Sequence, residues 1–147
     1  MEPESSKSNP DSTYFPDEVA VALCIYGIDL EPDEISKLLG VAPTHAHMKG
    51  ERKGLRSLPW TKGAWIRELR RFEPIDPDQM FEDLLASMSQ DDAVWRSLAD
   101  RFELRVDFSL HTDVGATFVL APRTVRAISA LGAAFQIYVQ AYGDNGV

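Results

Sequence analysis

Two histidines separated by one residue are the clearest candidates for chemistry in this chain. Side chains two positions apart in a β-strand lie on the same face, so His45 and His47 would point the same way. Imidazole is a common zinc ligand, but a zinc site needs at least three protein ligands, and the neighbouring residues supply no third one. We therefore expect a solvated histidine pair beside a basic loop, with His45 and His47 as weak metal candidates, and no cofactor.

The single cysteine, Cys24, is a second candidate, as a nucleophile assisted by His111 and Asp107. It lies within a run of Val, Ala, Leu and Ile, where a lone cysteine is more often a small buried side chain than a reactive one. The motifs of the hydrolase nucleophile, the phosphate-binding loop and the dinucleotide-binding turn are absent from the sequence. These observations favour a protein that is not an enzyme.

Positive charge is concentrated in residues 49–71, which we call the basic segment. It holds eight of the 15 lysines and arginines and two acidic residues, so it carries +6 in a chain whose net charge is −8. The overall acidity argues against a general nucleic-acid-binding protein. The segment favours an acidic protein partner, and an equal alternative is that it faces the acidic remainder of the same chain or of a second copy in a homodimer. Stacking of single-stranded nucleic acid on Trp60 and Trp65 is a weaker alternative.

Hydrophobic periodicity predicts an alternation of strands and helices along the chain. Apolar and polar residues alternate in the strand candidates at 104–111 and 135–140, and bulky and small residues alternate in the candidate at 19–26. Two further strand candidates are a short one at 44–48 and one at 60–70, where Trp65, Ile66 and Leu69 are the expected packing residues. Apolar residues recur at helical spacing after a proline or an acidic cap in the helix candidates at 32–39, 76–88, 89–102 and 122–131. The second and third of these could be one broken helix.

The pattern of elements indicates one α+β domain over residues 14–147, preceded by a disordered tail at residues 1–13. We expect an antiparallel sheet covered by helices on one face, arranged as a ferredoxin-like sandwich with an extra helix. The longest apolar run has ten residues, too few to cross a membrane, and the first residues lack the features of a secretory signal. We therefore expect a soluble cytoplasmic protein with no membrane association.

The uncovered face of such a sheet would display polar side chains from two strands. Arg105, Asp107, Ser109 and His111 would share this face with Gln136, Tyr138 and Gln140. We therefore predict a partner-binding surface that combines residues of this face with residues of the basic segment. Its members are Lys49, Arg52, Lys53, Arg56, Trp60, Arg105, His111 and Tyr138.

Several short motifs resemble a known family. They are Ile25-Tyr26-Gly27, Leu30-Glu31-Pro32, Leu38-Leu39-Gly40, Pro43-Thr44, Gly50-Glu51, Trp65, and, near the end, Ala130-Leu131-Gly132 with Ile137-Tyr138. Through these motifs the chain resembles the bacterial family catalogued as domain of unknown function 4279, over roughly Val19 to Tyr142. The family has no established activity, so the resemblance implies a bacterial source and a compact domain and assigns no catalytic residue.

The function that these observations favour is a non-enzymatic protein-interaction module. One alternative is a small enzyme or small-ligand-binding protein that uses Tyr26, Arg105, His111 and Tyr138 on the open face. Another is single-stranded nucleic-acid binding by the basic segment. A concave pocket with converging polar groups would favour a ligand or substrate, whereas a flat face would favour a partner protein.

Overall fold

The computed structural model describes residues 16–54, 57–72, 75–112 and 115–141. Within these ranges the chain forms five strands and four helices. The strands are β1 (Glu18–Gly27), β2 (His45–His47), β3 (Gly63–Phe72), β4 (Glu103–Thr112) and β5 (Ala133–Ala141). The helices are α1 (Pro32–Leu39), α2 (Pro77–Ala86), α3 (Asp92–Arg101) and α4 (Pro122–Ala130). The predicted disordered tail, residues 1–13, and the predicted binding residue Arg56 lie outside the described residues.

All five strands belong to one sheet with the order β2-β3-β1-β4-β5. The central strand β1 is antiparallel to both β3 and β4, and β2 is antiparallel to β3. The last strand differs, because β5 runs parallel to β4. The prediction of an antiparallel sheet is therefore wrong at this edge, and the sheet is mixed. The physical reason is α4, whose crossover returns the chain to the end where β4 began, as a parallel neighbour requires.

The hydrophobic core lies on one face of this sheet. Val19, Val21, Leu23 and Ile25 of β1 are fully buried there, as the alternation of bulky and small residues in this strand predicts. Each helix adds apolar side chains to the same core. The buried helical residues are Ile35 and Leu39 of α1, Met80, Phe81 and Leu84 of α2, Trp95 and Leu98 of α3, and Ile128 of α4.

Local signals in the sequence define the ends of the first three helices. Gly40 ends α1 in the left-handed conformation, with φ of 78°. The Asp76 side chain accepts a hydrogen bond from the backbone N–H of Gln79 at the start of α2, and Asp91 caps α3 in the same way. The region predicted as one or two helices is therefore two.

The fourth helix packs differently from its predicted stripe. The spacing of Val125, Ile128 and Leu131 predicts one buried stripe, but Val125 is 54% exposed and the buried side chains of α4 are Thr124 and Ile128. Thr124 donates from its hydroxyl to the Asp78 carboxylate over 2.6 Å, which ties α4 to α2 through a polar contact and turns Val125 outward. Across the described ranges, every helix is too short or too polar to cross a membrane.

Candidate binding site

A cleft opens at the β2 edge of the sheet, beneath the loop that joins β2 to β3. Its volume is about 760 Å³. Both predicted metal candidates and three of the predicted partner-binding residues belong to its wall, which is formed by Thr44, His45, Ala46, His47, Glu51, Arg52, Lys53, Trp60 and Ile66. The structure thus gathers into one concavity residues that the sequence places in two separate stretches.

An aromatic stack fixes one side of the cleft. The imidazole of His47 and the indole of Trp60 lie nearly parallel, with ring centroids 3.9 Å apart and an angle of 11° between the planes. Trp60 was predicted to begin a strand, but β3 begins at Gly63, so Trp60 is a loop residue that folds back over β2. Pro59 before it and Gly63 after it are the sequence signals that indicate a loop here.

Backbone hydrogen bonds hold this loop in place. Trp60 N–H donates to the carbonyl of Glu51 over 2.9 Å, and Gly50 N–H donates to the carbonyl of Trp60 over 2.8 Å. The Glu51 carboxylate accepts a hydrogen bond from the backbone N–H of Met48 over 2.7 Å, so this acidic side chain is occupied in shaping the turn. The loop therefore presents Trp60 in a defined position instead of leaving it in solvent.

The cations of the cleft have no carboxylate partner among the described residues. Arg52 and Lys53 line the cleft and Lys49 is exposed beside it, and none of the three forms an ion pair within the described ranges. By contrast, two arginines elsewhere on the sheet form ion pairs: Arg70 with Glu18 and Glu68, and Arg105 with Glu103. The cleft therefore offers positive charge that is free to attract an anionic group.

The two histidines do not form the core of a metal site in the described part of the chain. His45 and His47 pair across the strands with Ile66 and Ala64, so both lie on the open face of the sheet. No group of three histidine, cysteine, aspartate or glutamate side chains stands close enough to hold a metal ion within the described ranges. The structure instead uses His47 as one half of the aromatic stack.

The remaining predicted binding residues lie on the same open face but at two distances from the cleft. Arg105 lies in the same cross-strand row as His45, three strands away or about 14 Å. His111 and Tyr138 lie together, because Ser109 pairs with Tyr138 in the parallel β4–β5 ladder and His111 follows on the same face. Along the strands, Tyr138 lies about 13 Å and His111 about 20 Å beyond the row of Arg105. His111 and Tyr138 are therefore not part of the cleft.

Arg105 is already engaged by its neighbours. Its guanidinium donates to Gln136 over 2.8 Å and to Glu103 over 2.6 Å, and it lies 5.1 Å from the ring centre of Tyr26. The Glu103 carboxylate raises the pKa of Arg105 and keeps it charged. The Arg105 side chain thus connects β4 to β5 and β1 on the open face, and a ligand could bind this side chain only by replacing these contacts.

Cys24 is buried, as expected, and it forms a polar pair with Tyr26. Burial, more than any other influence, raises the pKa of the Cys24 thiol to about 11. Burial and the hydrogen-bonded thiol raise the pKa of the Tyr26 phenol to about 12. Burial also raises the pKa of Asp107, whose Oδ1 atom is buried with no hydrogen-bond partner among the described residues. A protonated thiol in such surroundings is a poor nucleophile.

The fold and the cleft define a class of protein: a small α+β domain with a mixed sheet and an electropositive, aromatic-lined cleft at one sheet edge. Residues 17–142 match the family described as Domain of unknown function (DUF4279), and the chain belongs to that family. The comparisons found no match among curated proteins and none among solved structures.

Proposed function

We propose that the protein is a non-enzymatic binding module that holds an acidic segment of a partner protein in the cleft between β2 and the β2–β3 loop. The observation that carries the proposal is the combination of Arg52 and Lys53, which lack a carboxylate partner within the described ranges, with the stacked His47–Trp60 pair. Opposite charge steers the encounter, and the aromatic pair supplies a fixed apolar surface against which a bound segment can pack.

The charge of the whole chain supports a local, directed interaction. A chain of net charge −8 repels anions over most of its surface, so an acidic partner is attracted to the cleft and turned away elsewhere. The cleft is thus the place where an acidic segment gains most from binding.

The topology supports a finer description of the fold. We infer a ferredoxin-like sandwich from the first four strands, which follow the order β2-β3-β1-β4 with antiparallel neighbours throughout and have helices between β1 and β2 and between β3 and β4. The unit α4–β5 extends this sandwich at one edge. We also infer a cytoplasmic location, which the single unpaired cysteine supports.

A small anionic ligand is the second candidate for the same cleft. The volume of about 760 Å³ falls within the range of about 300–1,000 Å³ that is typical of small-molecule sites. Single-stranded nucleic acid has less support, because Trp60 already stacks on His47 with one of its faces. An enzyme that uses the open face has less support too, because Arg105 is bonded to Glu103 and Gln136.

The proposal is tested by capturing partners from a lysate of the source cell on the tagged protein, with and without nuclease. The loop variant carries Arg52→Glu and Lys53→Glu. The matched control carries Lys37→Glu and Arg96→Glu, which change the net charge by the same amount at exposed helical positions. We expect a protein that resists nuclease, is retained by the control variant, and falls at least tenfold in yield with the loop variant, about 1.4 kcal/mol or more.

Three results would contradict the proposal. Equal capture by the two variants would show that binding depends on net charge and not on the cleft. Loss of capture after nuclease treatment would indicate nucleic acid. If no protein were captured specifically, a small anionic ligand would be the better explanation of the cleft.

A further inference from the structure

The strand β5 forms an open edge of the sheet. The strand order ends at β5, so the backbone groups on its outer side have no partner strand among the described residues. Natural edge strands usually carry a charge, a proline or a bulge that prevents pairing with another chain. The segment AAFQIYVQA has neither a charged residue nor a proline over its nine positions. This edge is therefore suited to strand pairing.

The side of β5 that faces the helical layer is also uncovered. Phe135, Ile137 and Val139 are 47%, 46% and 58% exposed, although the equivalent residues of β4 are buried. A groove of about 300 Å³ runs alongside, between β5 and α4, and is lined by Leu120, Val125, Ile128, Ser129, Gly132, Ala133 and Phe135. The apolar strip of β5 and the apolar groove form one continuous surface, which we call the β5 surface.

We propose that the β5 surface binds a second copy of this chain, with the two β5 strands antiparallel across a two-fold axis near Ile137. This register pairs Ile137 with itself and Phe135 with Val139 on the helical side. It pairs Gln136 with Tyr138 and Ala134 with Gln140 on the open face. Each pair is neutral, so no like charges oppose each other across the two-fold axis in this register.

The neutrality of the strand favours a second copy over a charged partner. The chain has a net charge of −8, yet none of its charges lies on β5, so two copies can approach along this edge without opposing like charges. An acidic or basic peptide would find no complementary charge on the strand. The partner that fits is an equally neutral apolar edge, and the chain itself supplies one.

The exposed area is in the range that a dimer needs. The half-exposed side chains of Phe135, Ile137, Val139 and Val125 on the helical side, with Tyr138 on the open face of the same strand, together offer on the order of 500 Å². The polar rim and the paired backbones add to this area, so each copy approaches the ~800 Å² that a stable interface buries per partner. The dimer would join the two sheets into a continuous sheet of ten strands.

This arrangement places the two clefts at opposite ends of the joined sheet. The cleft lies at the β2 edge, four strands away from β5, so the two β2 strands would be about 43 Å apart. The inference does not rest on the proposed function of the cleft, because the β5 surface shares no residue with it.

The test is the molar mass of the full chain in solution, measured by sedimentation equilibrium between about 1 and 100 μM. We expect a mass near twice 16.4 kDa at the upper end of this range. The variant Ile137→Lys places two ammonium groups together at the axis, so we expect its dimer dissociation constant to rise at least tenfold. The control Leu58→Lys changes an apolar residue that is 86% exposed in the β2–β3 loop, and should leave the dimer unchanged.

A cross-link keeps the test decisive if Ile137→Lys folds poorly. In Ile137→Cys the two new thiols would face each other across the axis, at a Cα separation that a disulfide can span, while the native Cys24 stays buried. We expect oxidation to give a covalent dimer in high yield from Ile137→Cys and little from Leu58→Cys. A monomeric wild type at 100 μM, or a dimer that tolerates Ile137→Lys and does not cross-link through Ile137→Cys, would overturn the inference.

Discussion

At the residue scale, the pair of Cys24 and Tyr26 shows how burial keeps the thiol and the phenol of β1 neutral. The small side of β1 is buried, and Ala20, Ala22 and Cys24 are 3%, 8% and 3% exposed. A thiol with a pKa of about 11 is almost fully protonated at neutral pH. The pair therefore contributes packing and a hydrogen bond to the sheet, and supplies no nucleophile.

The raised thiol pKa predicts a loss of stability in alkali. Folding favours the neutral thiol, so this contribution is fully present below pH 9, the ordinary pKa of the group, and is lost as the pH rises to about 11. We expect the thiol to account for a fall of about 2 kcal/mol in the free energy of unfolding over this interval, taken as the difference between the wild type and Cys24→Ala in urea unfolding at pH 8, 9, 10 and 11.

The variant Cys24→Ala is the control for this prediction. Without the thiol, the fall should begin near pH 10, where the Tyr26 phenol starts to ionise in the unfolded chain. A variant that loses stability from pH 9 as the wild type does would show that another group is responsible.

Removing the charge from each of two neighbouring carboxylates on β4 should change the stability of the protein in opposite directions. Burial raises the pKa of Asp107, so its ionised form costs stability at pH 7. The guanidinium of Arg105, with the ammonium of Lys62, lowers the pKa of Glu103, so its ionised form adds stability at that pH. We expect Asp107→Asn to raise the urea midpoint at pH 7 and Glu103→Gln to lower it slightly. Shifts of the same sign in both variants would contradict this assignment.

At the element scale, the start of β3 is held by a close backbone approach. A Cβ atom added at Gly63 would lie 2.8 Å from the carbonyl oxygen of Leu30 and 3.3 Å from that of His47. Glycine is therefore required for β3 to pass between the turn after β1 and the end of β2. This contact sets the position of β2 and, with it, one wall of the cleft.

The close approach predicts a large difference between two glycine substitutions. We expect Gly63→Ala to destabilise the protein by about 1–3 kcal/mol, because backbone atoms must move to admit the methyl group. Gly54→Ala has no atom within 4 Å of the new Cβ and should change stability by less than about 0.5 kcal/mol. Urea unfolding of both variants measures the difference, and similar stabilities would be evidence against the described packing at β3.

Most elements could be predicted from the sequence, because their signals are local. Pro32 and Gly40 mark α1, Asp76 caps α2, and the alternation in β4 separates its buried residues from its open-face residues. The direction of β5 was wrong, because alternation reports which side chains are buried and carries no information on the neighbouring strand. The exposure of Val125 was missed because the contact of Thr124 with Asp78 joins residues that are 46 positions apart.

At the scale of the whole molecule, the sequence predicts which charged residues belong to the candidate site, but it does not predict the shape of the cleft. The cations of the basic segment are evident in the composition, and Arg52, Lys53 and Trp60 do line the cleft. The stack of Trp60 on His47 depends on how the loop folds over β2, which no local pattern encodes. The open face was correctly assembled from parity, but His111 and Tyr138 lie at its far end from the cleft.

The cleft proposal predicts a response to salt. Arg52 and Lys53 are exposed at the rim of the cleft, so their attraction for an acidic segment is screened by added ions. We expect the affinity for an acidic partner to fall several-fold between about 50 and 300 mM NaCl, measured by calorimetry. An affinity that stays constant over this range would favour an apolar mode of binding.

The most direct test of the central claim is to observe the cleft by NMR while an acidic peptide is added to the labelled protein. A glutamate-rich peptide, a single-stranded thymidine oligonucleotide and inorganic phosphate would be titrated separately. The account predicts that the peptide shifts the backbone amides of residues 45–53 and the indole N–H of Trp60, and that Arg52→Glu with Lys53→Glu abolishes these shifts. Unchanged cleft signals at millimolar peptide, or shifts confined to the region of Tyr138, would contradict it.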